Sequence, residues 1–247
     1  MRRWVVILLG GCILCSVAFL AWGVPQRSVR AQETYDMYFP SVSVVRAVRS
    51  GLDTFFTGDR LLEWRIAMTK EPNEVFLDIS GGVLKVTITD NSVRTIIAPQ
   101  MPGWQPEKDF MLEVDARFTT DEWLNGLGLV FGANEDWSEY YDFKIGFNFE
   151  QHYWAVAKFK DDNITYLTND GWRGGPNFMN NQYNWNHLTV IRQGDEIQVL
   201  CNDKLLPGGT FTDPSFIDSR WVGLTVTSYE WDSGSIEFDN FKLTPLE

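Results

Sequence analysis

The run from Phe110 to Phe118, FMLEVDARF, alternates apolar and polar side chains without a break. Phe110, Leu112, Val114, Ala116 and Phe118 fall on one side, and Met111, Glu113, Asp115 and Arg117 on the other. Only a β-strand has this period of two, and one polar side means that one face alone packs against a partner sheet. The pattern recurs in YYDFKIGF, which directs Tyr141, Phe143, Ile145 and Phe147 inward, and in GVLKVTI, which directs Leu84, Val86 and Ile88 inward. No amphipathic helical window exceeds about three turns. Turn chemistry joins the strands: Gly194-Asp195 and Asn202-Asp203 both tolerate the positive φ of tight hairpins. With VFLDI, LGLVFG, HYWAVAKF, ITYLT, HLTVIRQ, EIQVLCN, WVGLTVTS and GSIEFDNFKLT, about a dozen strands are legible, near the number that two stacked sheets need. The expected fold is all-β, a two-sheet antiparallel sandwich.

A hydrophobic content of 44% with 15% aromatic residues supplies a sizeable core and excludes a disordered chain. Arg2, Arg3, Arg27 and Arg30 precede every acidic residue, so leaving out residues 1–31 takes the net charge from −12 to −16. Such a surface repels phosphate backbones, and nucleic acid is not an expected partner. Neutral glycans, cations and basic proteins stay open. Cys12 and Cys15 lie in the apolar N-terminal run, which leaves Cys201 alone in the remainder, in phase with Ile197 and Val199 and expected to be a small buried residue.

Residues 4–24 carry no charge and follow Arg2 and Arg3, the layout of an export signal. Val29 and Ala31 then stand where a signal peptidase reads. The apolar run also has 21 residues, enough to span a bilayer if it is retained. Cleavage and retention as an anchor both place the following residues outside the cytoplasm, at the cell surface or in the extracellular space, with membrane contact only through an uncleaved N-terminal segment. The expected organisation is an export segment over residues 1–31, a linker over 32–50 and one β-sandwich domain over 51–247.

Five segments in order, DFMLEVDARF, GLGLVFGANEDWSEYYDFKIG, YNWNHLTVIRQGDEIQVLCNDKLL, RWVGLTVTS and IEFDNFKL, resemble the concanavalin A-like (laminin G-like) lectin and glucanase superfamily. The nearest resemblance is to bacterial secreted domains grouped with 3-keto-disaccharide hydrolases. It covers most of residues 51–247 and implies the jelly-roll form of the sandwich. Glucanases of this superfamily carry a Glu-x-Asp-x-x-Glu strand. Here Glu113 and Asp115 match, but Phe118 stands at the second Glu, so this strand lacks the carboxylate pair that retaining hydrolysis needs. The resemblance also implies that Asp53 and Asp239 share a structural Ca²⁺ if the terminal strands pair.

No nucleophile elbow, P-loop or dinucleotide fingerprint occurs, and His152 and His187 lack metal-ligand spacing, so no zinc site is expected. His187, out of phase with Leu188, is expected on the solvated surface. DDNITYLTND reads as a solvated hairpin. The aromatic supply is the feature that points to a ligand class, because flat sugar faces stack on Trp and Tyr. Trp123, Trp137, Tyr140, Trp154, Trp172 and Trp231 are the candidates, Tyr140 foremost because it shares the polar side of its strand with Asp142. The expected binding set is Glu113, Asp115, Arg117, Trp137, Tyr140 and Asp142, provided the two strands lie close together in the concave sheet that the resembled relatives use for sugars; the alternative is that the same charges form a cross-strand ion-pair lattice on a solvated convex face. The expected function is a non-catalytic carbohydrate-binding module acting on a glycan or cell-surface polysaccharide. The alternative is a secreted glycoside hydrolase.

Overall fold

The structure is a computed structural model that describes residues 52–54, 64–69, 75–89, 94–99, 107–120, 124–148, 151–169, 171–216, 218–228 and 234–246. The expected export segment and linker lie outside the described residues. Among the described residues sixteen strands run in the order β1 (Leu52–Thr54), β2 (Trp64–Thr69), β3 (Val75–Ser80), β4 (Val83–Ile88), β5 (Arg94–Pro99), β6 (Phe110–Phe118), β7 (Leu124–Ala133), β8 (Glu139–Asn148), β9 (Gln151–Lys160), β10 (Asn163–Tyr166), β11 (Arg173–Gly174), β12 (Asn186–Gln193), β13 (Glu196–Cys201), β14 (Lys204–Thr212), β15 (Trp221–Ser228) and β16 (Gly234–Pro245). They exceed the dozen legible in the sequence because pieces as short as β1 and β11 have no periodicity of their own.

Two eight-stranded sheets result. Sheet A has the order β14-β13-β12-β6-β16-β4-β3, with β1 also on β16; sheet B has the order β10-β9-β8-β7-β15-β5-β2, with β11 also on β9. Every pairing is antiparallel, so the all-β sandwich holds. The hairpins form where the turn dipeptides lie, with positive φ at Gly194, Asn202 and Asp203.

The inward faces meet in one core, to which β6 gives Phe110, Leu112, Val114, Ala116 and Phe118 and β8 gives Tyr141, Phe143 and Ile145. Each fully buried aliphatic or aromatic side chain contributes about 1.5–3 kcal/mol. Cys201 belongs to this core, and burial raises its thiol to about 12, which keeps it unreactive.

Two expectations need correction. β6 lies in sheet A and β8 in sheet B, so their polar sides look out from opposite faces of the sandwich. A period of two assigns a residue to a face and says nothing about which sheet its strand joins. Secondly, β8 is buried on both faces: Tyr140 is 2% exposed and Asp142 0%.

Candidate functional site

On the outer face of sheet A, β6 is flanked by β12 and β16, and register fixes the neighbours. Asp115 lies opposite His187 and Asp239, Glu113 opposite Thr189 and Lys242, and Arg117 opposite Glu237. His187 Nδ1 donates to Asp115 Oδ1 at 2.7 Å, and Nε2 lies 3.4 Å from Glu113 Oε1. Asn240 Nδ2 donates to Asp115 Oδ2 at 2.7 Å. Asn240 reaches it from a bulge in β16 where its own φ is +52°. Arg117 bonds Glu237 through Nε at 2.8 Å and stacks its guanidinium 4.4 Å over the Trp185 ring.

His187 does point away from the core, but it is half-buried between carboxylates rather than freely solvated. Its clamps come from β6, far away in sequence. The imidazole bridges Glu113 and Asp115. The face is a lattice of cross-strand pairs in which Glu113 and Asp115 share His187 and Arg117 pairs with Glu237.

The lattice titrates. The hydrogen bond to Asp115 raises the His187 pKa, against the opposing effect of burial, and Glu113 adds to the rise. For Asp115, burial alone would raise the pKa; the hydrogen bonds from His187 and Asn240 outweigh it and hold the carboxyl below its usual value. A raised histidine stabilises the fold fully below its unfolded value of about 6.5 and loses that contribution as pH rises through the folded value. A lowered Asp gives stability above about pH 4 that is lost on further acidification. Thermal melts should therefore show a Tm that falls from pH 6 to pH 9, with a smaller fall in His187→Gln. Equal slopes in the two proteins would refute the coupling.

The outer face of sheet B is built differently. Register places Asp142 between Val130 and Ala157, Lys144 between Gly128 and Ala155, Thr225 between Gly128 and Ile96, and Thr227 between Gly126 and Arg94. Glycine and alanine thus floor a strip across β9, β8, β7 and β15, called the trough below, whose polar groups Asp142, Lys144 and Thr225 are buried. Aromatic groups border it: Tyr140 stacks on Phe159 at 4.7 Å, and the Arg94 guanidinium sits 4.1 Å above Phe159. Trp137 packs into the same apolar cluster, with Trp221 against it. The Trp172 ring lies over Gly126 and beside Lys144, since a Cβ on Gly126 would stand 3.1 Å from each.

Charge is sunk in this trough. Lys144 Nζ lies 2.9 Å from Asp142 Oδ2 and donates to Thr227 Oγ1 at 3.2 Å. Among the described residues five buried side-chain polar atoms lack a hydrogen-bond partner, and four are here: Asp142 Oδ1, Arg94 Nε, Thr225 Oγ1 and Asp142 Oδ2, the last held by its ion pair with Lys144. Each such atom costs about 1–3 kcal/mol, so their gathering on one face calls for an explanation. Burial pushes the Tyr140 phenol up, so it stays protonated.

The expected binding residues therefore separate into two groups. Glu113, Asp115 and Arg117 are together on sheet A. Tyr140, Asp142 and Trp137 are on sheet B, with Tyr140 and Trp137 in its outer apolar cluster. Trp154 faces the core, and Trp123 and Trp231 lie outside the described residues. The terminal strands do pair, with Asp53 opposite Lys242, but no group of three acidic, His or Cys side chains able to hold a metal occurs among the described residues. Sequence reasoning missed Arg94, Thr225 and Trp185. The alternation Gly126-x-Gly128 followed by Gly223-x-Thr225-x-Thr227 was the available signal, marking outward positions left small.

No family model matches the chain, and no curated protein matches it. Solved structures do. A carbohydrate-binding module, CBM66 from Bacillus subtilis, superposes with a TM-score of 0.54 at 15% identity, over 74% of this chain and 95% of that one. The GH43 protein BlXynB from Bacillus licheniformis gives 0.57 at 14% identity, over 84% of this chain but 41% of its own length. The exoplasmic/lumenal domain of VIP36, in its Ca²⁺/Man3GlcNAc-bound form, gives 0.52 at 14% identity, over 80% of this chain and 89% of that one. The likeness is one of fold, a two-sheet antiparallel β-sandwich.

Proposed function

We propose that this domain binds carbohydrate without cleaving it, and that the trough on the outer face of sheet B is the binding site. The observation that carries this reading is the set of orphaned polar atoms of Asp142, Arg94 and Thr225 above a floor of glycine and alanine. Asp142 Oδ1, which has no donor among the described residues, matches one sugar hydroxyl, and Oδ2, ion-paired with Lys144, can accept from a neighbouring one. Arg94 Nε donates to a ring or hydroxyl oxygen, and the Thr225 hydroxyl serves either way. Trp172 is the half-buried group over Lys144, so its rotation opens the trough and offers its ring to the apolar face of the sugar. Structural neighbours that include a carbohydrate-binding module and the VIP36 domain in its Man3GlcNAc-bound form support the ligand class.

The finer kinship, with bacterial secreted 3-keto-disaccharide hydrolase-like domains, rests on the five quoted segments, and export rests on residues 1–31. In this reading the partner is an extracellular or cell-surface polysaccharide.

The test is Thr225→Val. It removes a hydroxyl that bonds no group among the described residues while keeping shape, so the fold should lose no stability. On a glycan array followed by calorimetry, the wild type should bind and the variant should bind at least about tenfold more weakly, the worth of one hydrogen bond. A variant that binds as the wild type does refutes the site. A reducing-sugar assay on the same glycans should stay blank, and product release would replace the non-catalytic reading with the hydrolase.

A further inference from the structure

The β9–β10 hairpin borders a second concavity, an open pocket of about 530 Å³. It lies where the ends of β8, β9 and β10 face the turn that follows β14, and it is lined from both. A volume of this size is in the range of small-molecule sites. Its side chains share no residue with the trough.

The lining has a definite chemistry. Lys158 Nζ donates to Asp213 Oδ2 at 2.7 Å and to Ser215 Oγ at 3.0 Å, which leaves one N–H unused. Lys160 Nζ pairs with Glu139 Oε1 at 2.8 Å and has two further donors. Thr165 and Ser215 add hydroxyls, Asn163 adds an amide, and Phe216 adds an aromatic face. Of the lining charges, Lys158 and Lys160 are balanced by Glu139 and Asp161, with Asp213 behind. The pocket therefore has no excess positive charge to hold an anion, in a domain that is itself acidic. Donors and acceptors are mixed around one ring, which suits a neutral molecule with many hydroxyls.

Strand β10 links this pocket to sheet B. All four of its residues are exposed. Asn163 and Thr165 line the pocket, whereas Ile164 and Tyr166, in register with Phe159 and Ala157, stand on the outer face that carries the trough. A single thin edge separates the two.

We infer that the pocket is a second saccharide subsite, for a neutral sugar unit, and that one oligosaccharide crosses the β10 edge to occupy pocket and trough together. This rests on the reading of the domain as sugar-binding, but the pocket stands on its own geometry. A ligand long enough to reach both gains the second contact at a high effective concentration.

The test compares neutral cello-, xylo-, manno-, malto- and fructo-oligosaccharides of two and six units by calorimetry on the full chain. The wild type should bind a six-unit ligand at least tenfold more tightly than its two-unit counterpart. Lys160→Ala/Thr165→Ala, which changes exposed side chains, should reduce that ratio to about threefold or less. Hydrogen exchange should show protection of residues 158–166 by the six-unit ligand. An unchanged ratio, or no protection there, overturns the subsite while leaving Thr225→Val to judge the trough. Stronger binding of oligogalacturonate than of every neutral series overturns the neutral class.

Discussion

Asp142→Asn should lower the Tm by about 6–12 °C. The substitution leaves the Lys144 ammonium, 8% exposed, without its counter-charge. Breaking one partner of a buried pair costs about 3–5 kcal/mol, because the remaining charge is desolvated for nothing. In a domain of this size each kcal/mol moves Tm by about 2–4 °C, so the lower end of that cost already gives the range stated. Asp142→Asn/Lys144→Met, which removes both charges at similar volume, should recover most of the loss. If the proposed site is right, the double variant should nonetheless bind the wild-type glycan more weakly, since Asn keeps only one of the two acceptor oxygens of Asp142. Full stability in the single variant would mean that the pair is solvated. Recovered stability with intact binding would show that the charges are structural only.

The other large effect is expected at Gly128, where a methyl group should prevent normal folding or lower Tm by more than about 10 °C. A Cβ on Gly128 would stand well inside van der Waals contact of the Phe143 carbonyl oxygen and 2.9 Å from the Lys144 Cα. Both obstacles are backbone atoms of the adjacent strand, so relief means breaking the β7–β8 ladder, and the ordinary overpacking cost of about 1–3 kcal/mol is a floor. Gly174→Ala is the control: its Cβ would meet nothing within 4 Å, and its effect should stay within about 0.5 kcal/mol. Thermal melts of both variants decide the matter. A Gly128→Ala protein as stable as the control would disprove the close approach.

Much of the fold was legible because burial on one face writes itself into the chain with a period of two, as in β6, β4 and β13. Hairpins were legible where a dipeptide must take positive φ. The sheet to which a strand belongs was not, since β6 and β8 show the same alternation and lie in different sheets. Nor was the state of Tyr140 and Asp142: a charged residue at an outward position reads as solvated until its cross-strand neighbours are known. Those neighbours, Val130, Gly128 and Thr225, sit on strands brought together by tertiary pairing. His187 shows the same limit, because the carboxylates that hold it lie over 70 positions earlier.

The placement of β6 between β12 and β16 also has a kinetic meaning. His187 meets Glu113 across 74 positions and Glu237 meets Arg117 across 120, so both ladders of this strand close long loops. Loop closure must precede any reward from such pairing, and sheets of this kind assemble in milliseconds to seconds or longer. During synthesis β6 emerges with no neighbour, and its apolar face waits until nearly the whole domain has appeared. A nascent chain in that condition stays open to aggregation and to chaperones until β12 and β16 have appeared.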